Sequence, residues 1–90
     1  MTEEQLQAKV LQILGTIAPD VELDSVKPAM EFRDQFDFDS MDFLNFAIAL
    51  HKEFKVDIPE ADYTRLGTLN GCVRYLQEAL PVFRKPGDPS

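Results

Sequence analysis

The chain is poor in the residues from which enzymes assemble active sites: its ninety residues hold one cysteine, Cys72, one histidine, His51, and no tryptophan. A lone cysteine excludes an internal disulfide. No Ser-His, Cys-His or metal-ligand constellation is visible, so an independent enzyme is the weakest reading. Basic residues are also scarce. Nine Lys and Arg against sixteen Asp and Glu leave a net charge of −7, which disfavours nucleic acid and anionic membranes and favours protein partners with basic docking faces. No apolar run approaches the length of a membrane span. The amino terminus Met1-Thr2-Glu3-Glu4-Gln5 lacks the basic and apolar regions of a signal peptide, and a soluble, cytoplasmic protein is expected. There is no internal repeat, no low-complexity segment and no alternating pattern long enough for a strand. Ninety residues make one small domain, too short for a cleft between two lobes.

What is present is helical periodicity. Thr2 and Gln5 match a capping box, and Leu6, Val10, Ile13, Leu14 and Ile17 follow at helical spacing, so a first helix is expected to run to Gly15 or Ile17. From Ala18 to Phe38 no period is sustained, and Pro19 and Pro28 predict a long ordered loop. Six of the seven phenylalanines fall between Phe32 and Phe54, which gives that loop something to bury. A second helix is expected from Asp39 or Ser40 to near Phe54, with Asp39 as its cap. Its wheel places Phe43, Leu44, Phe46, Ala47, Ile48, Leu50 and Phe54 on the apolar arc, and Asp42, Asn45, Ala49, Lys52 and Glu53 on the solvent strip. Pro59 fits the first turn of a short third helix ending before Gly67. Thr68 then caps a last helix with Leu69, Cys72, Val73, Leu76 and Leu80 on one stripe, stopped by Pro81. The reading is an all-α, small four-helix bundle over residues 1–81, with a long loop between helices one and two, a short third helix, and a flexible tail over 82–90.

One serine stands out. Ser40, in Asp37-Phe38-Asp39-Ser40-Met41-Asp42-Phe43, lies where an acidic loop gives way to an apolar helix, so its hydroxyl faces out at the helix start. His51 is eleven residues further along the same helix, roughly 16 Å away at about 1.5 Å per residue, so no Ser-His pair forms. A serine presented but not activated is suited to receive a group rather than to attack one. A second Asp-Ser, at Asp24-Ser25, precedes no helical stripe and reads as a turn. The acids around Ser40 do not make a calcium loop, because one starting at Asp37 needs glycine at Asp42 and glutamate at Ile48. No metal site is assigned. Cys72 reads as a buried thiol of the last helix, and His51 as a partly buried structural residue near Leu44.

These residues resemble the acyl carrier proteins, whose Asp-Ser-Leu signature opens the second of four helices and reads Asp39-Ser40-Met41 here. The resemblance runs on through Ala49-Leu50, Glu53-Phe54, Asp57-Ile58-Pro59-Glu60 and the Thr68 to Leu76 helix. It implies a freestanding, specialised, bacterial-type carrier that is not an enzyme. A phosphopantetheinyl transferase using coenzyme A would attach 4′-phosphopantetheine to Ser40, with Asp39 as the adjacent acid. The arm would carry acyl groups as thioesters to partners such as an acyl-ACP synthetase, which joins an acyl group to the carrier, a ketosynthase or an acyltransferase of fatty-acid, lipid or polyketide biosynthesis. Partners would read the second helix of a monomer, with Met41 and Ile48 as apolar contacts and Asp37, Asp39, Asp42 and Glu53 as the charge.

The chain also departs from the family. Asp37-Phe38 replace the small Gly-Ala pair that commonly precedes the motif, Asn45 and His51-Lys52 stand where acids are common, and the clustered phenylalanines bear on the pocket that shelters the cargo. A carrier with its own partner set is inferred. The alternative is an unmodified acidic helical module that binds a basic partner through the same helix.

Overall fold

The computed structural model describes residues 2–80, and all regular structure within them is helical. The order is α1 (Glu3–Ile17), a 3₁₀ turn (Leu23–Ser25), the one-turn α2 (Phe32–Gln35), α3 (Ser40–Phe54), a 3₁₀ segment (Glu60–Leu66) and α4 (Leu69–Ala79). The expected stop at Pro81 and the expected flexible tail lie outside the described residues. None of the described helices is long and apolar enough to cross a membrane.

Local chemistry sets the helix starts. Thr2 Oγ1 accepts from the Gln5 N–H at 3.2 Å while Gln5 Oε1 accepts from the Thr2 N–H at 2.8 Å, completing the reciprocal box. Thr68 Oγ1 accepts from the Gly71 N–H at 2.9 Å and opens α4. α3 ends at Lys55, whose φ of 55° is left-handed, an unfavourable state for a residue with a side chain. Two contacts offset it. The next residue, Val56, is buried, and its carbonyl accepts from His51 Nδ1 at 2.7 Å. His51 is therefore exposed as a residue, not half-buried as expected, yet one ring nitrogen is fixed by the turn it braces.

α1 packs on both α3 and α4, and the 3₁₀ segment packs on α4. Leu6, Val10 and Leu14 of α1 meet Phe46, Ala47 and Leu50 of α3 and Leu69, Cys72 and Leu76 of α4 in one core. The Ala18–Phe38 stretch is more ordered than a loop. Phe32 is buried, and its N–H donates to the Gly67 carbonyl at 2.8 Å while the Asn70 N–H donates to the Pro28 carbonyl at 3.0 Å. The Gln35 amide closes the turn by bonding Lys27 and Met30. Buried rings and satisfied backbone groups here do the work that periodicity does in a longer helix.

Two details correct the reading of the carboxyl-terminal half. The short third helix is present as a 3₁₀ segment, but Pro59 stands just before it instead of in its first turn. Tyr75, which the stripe of α4 omitted, is buried. Its hydroxyl donates to Asp62 at 2.8 Å and its ring lies 4.8 Å from the Arg65 guanidinium, tying α4 to the 3₁₀ segment. Burial, then the bond to the Asp62 carboxylate, push its pKa up to about 12.

Gly71 sits where backbone approaches backbone: a Cβ there would lie 2.2 Å from the Arg65 carbonyl oxygen. Alanine is about 1 kcal/mol better than glycine inside a helix. Gly71→Ala is nevertheless expected to destabilise, by about 1–3 kcal/mol, because a carbonyl cannot swing aside as a side chain does. Urea denaturation checks the sign.

Candidate functional site

Ser40 is the first residue of α3 and is exposed. Asp39 precedes it with an extended backbone, and its Oδ1 accepts from the Asp42 N–H at 2.9 Å, so the cap of α3 is Asp39 and not the serine. Among the described residues the Ser40 hydroxyl has no hydrogen-bond partner. Its oxygen is thus uncommitted at the helix end where backbone N–H groups favour an anion.

The approach to Ser40 is held by rings. Phe38 lies 5.7 Å from Phe32 and 5.9 Å from Phe46, both edge-on, and Phe36 lies 5.5 Å from Phe38. Edge-on aromatic pairs at these distances are favourable beyond their buried area. They hold Asp37 and Asp39 outside the core on either side of Phe38. Beside Ser40 opens a cavity of about 390 Å³ lined by Phe32, Phe38, Phe43, Thr64 and Gly67, with Glu31, Arg33 and Asp39 contributing polar edges. Arg33 also shares a shallow depression with Asp37, Asp39 and Asp42, without a salt bridge to any of them.

The other predicted site residues separate into two groups. Met41, 65% exposed, and Ile48, 40% exposed, lie along one line of α3, and Leu44, also 40% exposed, stands between them. Leu44 corrects the expected core. An apolar arc wider than half a helix cannot be wholly covered by a bundle this small, and the Met41, Leu44, Ile48 spacing of three and four was the available signal. Asp37 and Asp42 lie at the Ser40 end, Asp42 half-buried. Glu53 is turned to the opposite edge, where it pairs with Lys9 of α1. Ser25 closes the 3₁₀ turn at Leu23–Ser25.

No cluster of His, Cys, Asp and Glu suited to a metal occurs among the described residues. Cys72 is fully buried on α4, its thiol donates to the Leu66 carbonyl at 3.3 Å, and burial pushes its pKa far above the ordinary thiol range. Only a thiolate attacks an alkylating agent. Iodoacetamide at mildly alkaline pH is therefore expected to leave native Cys72 unmodified and to alkylate it once guanidinium unfolds the chain, as read by mass.

The start of α3 thus brings together an uncommitted serine, a capping acid and an aromatic-lined cavity. The model of the phosphopantetheine attachment site family matches residues 4–76. An acyl carrier protein of Chlorobium phaeovibrioides is 33% identical over 76 residues, covering 84% of this chain and 96% of the relative. Acyl carrier protein 2 of Pseudomonas aeruginosa is 32% identical over 80 residues, covering 89% and 95%. The solved acyl carrier protein of Enterococcus faecalis superposes with a TM-score of 0.74 at 28% identity, over 89% of this chain and 100% of that one. The chain belongs to the acyl carrier protein family. Its prosthetic group is 4′-phosphopantetheine, and its role is to carry, not to catalyse.

Proposed function

We propose that Ser40 is the attachment residue and that the chain presents acyl thioesters to biosynthetic enzymes of fatty-acid, lipid or polyketide assembly in the cytoplasm. The observation that carries this is the exposed, unpartnered Ser40 hydroxyl at the start of α3, within the matched family segment. The residues present fit the group. The free N–H groups of the first turn of α3 suit a phosphodiester, although Asp39 and Asp42 oppose its charge, and the adjacent cavity gives an apolar wall to whatever hangs from it. Ser40 supplies the oxygen that a phosphopantetheinyl transferase joins to the phosphopantetheinyl group of coenzyme A. When bound, the arm supplies a terminal thiol that holds the acyl group as a thioester. Everything else is presentation.

Partner enzymes meet α3 along Met41, Leu44 and Ile48, with Asp37, Asp39 and Asp42 facing basic side chains at the Ser40 end. Glu53, on the other edge of α3, is reached only by a partner that wraps around the helix and draws it from Lys9, a small cost because exposed ion pairs hold only about 0–1 kcal/mol. Lys52 and Lys55, at the far end of α3, are exposed and form no salt bridge among the described residues, so the charge along the helix reverses from one end to the other. That supports a partner set distinct from those of uniformly acidic carriers. The test is intact mass after incubation with coenzyme A, magnesium and a phosphopantetheinyl transferase. One phosphopantetheine is expected to be gained, and failure with both a broad-specificity and the cognate transferase would favour the unmodified binding module.

A further inference from the structure

The crevice between α3 and the Glu60–Leu66 segment is spanned by one ring pair. Phe43 of α3 and Tyr63 of the segment meet edge-on, with centroids 6.1 Å apart and planes at 84°. On the Ser40 side lies the cavity of about 390 Å³, with Phe43 and Thr64 on its wall. On the far side a second recess of about 330 Å³ is lined by Ala47, Ile48, Ile58, Pro59 and Tyr63, with His51 and Asp57 as its polar edges. Phe43 belongs to the first lining and Tyr63 to the second, so the pair stands between two mainly apolar hollows that would otherwise form one trough along α3. Phe32, Phe46 and Leu66 are fully buried, and a chain entering the core would have to displace them.

We propose that the Phe43–Tyr63 contact is the length-determining partition of the cargo site: acyl groups short enough for the Ser40-side cavity are sheltered, and longer ones project into solvent. This rests on Ser40 being the attachment residue. An acyl chain at the end of an arm attached there folds back to the nearest apolar surface, because burial of each methylene is favourable. The first cavity offers that surface on three rings. Beyond Phe43 the path to Ile48 and Ile58 is closed as long as Tyr63 keeps its place. Neither ring is needed to hold the core, since both are only half-buried at its margin. Their position across the crevice is what matters.

The test uses the whole chain loaded with butanoyl-, octanoyl- and dodecanoyl-phosphopantetheine from the corresponding acyl-coenzyme A by a broad-specificity transferase. Loading is read first, by mass, and its absence in wild type and Ser40→Ala alike overturns the carrier reading and this proposal with it. With loading established, two readouts follow: the melting temperature of each loaded form relative to the unloaded holo form, and the rate at which hydroxylamine cleaves the thioester to the acyl hydroxamate and the free thiol. In wild type the butanoyl form is expected to melt higher and react several-fold more slowly than the dodecanoyl form. Tyr63→Ala is expected to join the hollows and give the dodecanoyl form the protection it lacks, a several-fold slower reaction and a raised melting temperature. Tyr63→Phe keeps the ring and is expected to behave as wild type. Should Tyr63→Ala lose its helical circular dichroism, Phe43→Leu opens the same path with a smaller change. Equal protection of all three chain lengths in wild type, or no change on removing either ring, overturns the partition.

Discussion

Ser40→Ala is expected to gain no phosphopantetheine under conditions that convert the wild type completely, and to melt at the wild-type temperature. The first half follows from chemistry: alanine has no oxygen to bond to phosphorus. The second follows from geometry. Removing a serine that serves as a helix cap costs about 1 kcal/mol. In the structure the capping oxygen belongs to Asp39, which accepts from the Asp42 N–H at 2.9 Å and stays in place when Ser40 is replaced. Alanine is also the best helix former, and position 40 is the first helical residue. The variant thus separates modification from folding, a separation that a serine serving as cap would not allow. Asp39→Ala is its complement, expected to lower stability by about 1 kcal/mol. Intact mass and thermal circular dichroism measure both. A phosphopantetheine gained by Ser40→Ala would move the attachment elsewhere and overturn the assignment.

The largest loss of stability is expected from Phe32→Ala, about 3–5 kcal/mol, against a total of about 5–15 kcal/mol for a domain of this kind. Phe32 is fully buried, with ring centroids 5.8 Å from Phe36, 5.7 Å from Phe38 and 5.6 Å from Phe46. Its removal leaves a cavity among rings that are themselves held by one another, and it slackens the segment leading to Ser40. Its backbone bond to Gly67 survives the substitution, so relaxation is hindered from that side. Phe36→Ala, at a half-buried position, is expected to cost less. Urea midpoints order the two. A Phe32→Ala midpoint close to wild type would mean that the remaining rings close over the vacancy.

The helices with a clear stripe and a side-chain cap, α1, α3 and α4, were legible from sequence to within a residue or two. Thr2, Asp39 and Thr68 announce them through hydrogen bonds that span only three residues. The exposed place of Ser40 in the first turn of α3 was legible for the same reason, since that setting is local. What sequence did not carry was decided by contacts across the chain. Phe32–Gln35 forms a helical turn because Phe32 is buried and the Gly67 carbonyl takes its N–H, neither of which any window of neighbouring residues contains. Tyr75 is buried because Asp62 and Arg65 come to meet it. Leu44 and His51 were placed inward by a wheel that treats the apolar arc as one face. The bundle covers only part of that arc and leaves Leu44 outside beside Met41 and Ile48. Glu53 was assigned to the partner surface by its position on the strip, and its pairing with Lys9 depends on α1 lying alongside.

The first helix packs on the last, and this has a bearing on the order of events in synthesis. Leu6, Val10 and Leu14 share their core with Leu69, Cys72 and Leu76, and contacts so far apart along the chain close late. α3 has no complete bed until α4 has joined α1. The stretch that presents Ser40 is likewise pinned to Gly67 and Asn70, near the beginning of α4. A transferase that recognises a capped, rigid helix start rather than a loose peptide therefore finds its substrate only after α4 has left the ribosome. Unfinished chains would escape modification by shape alone.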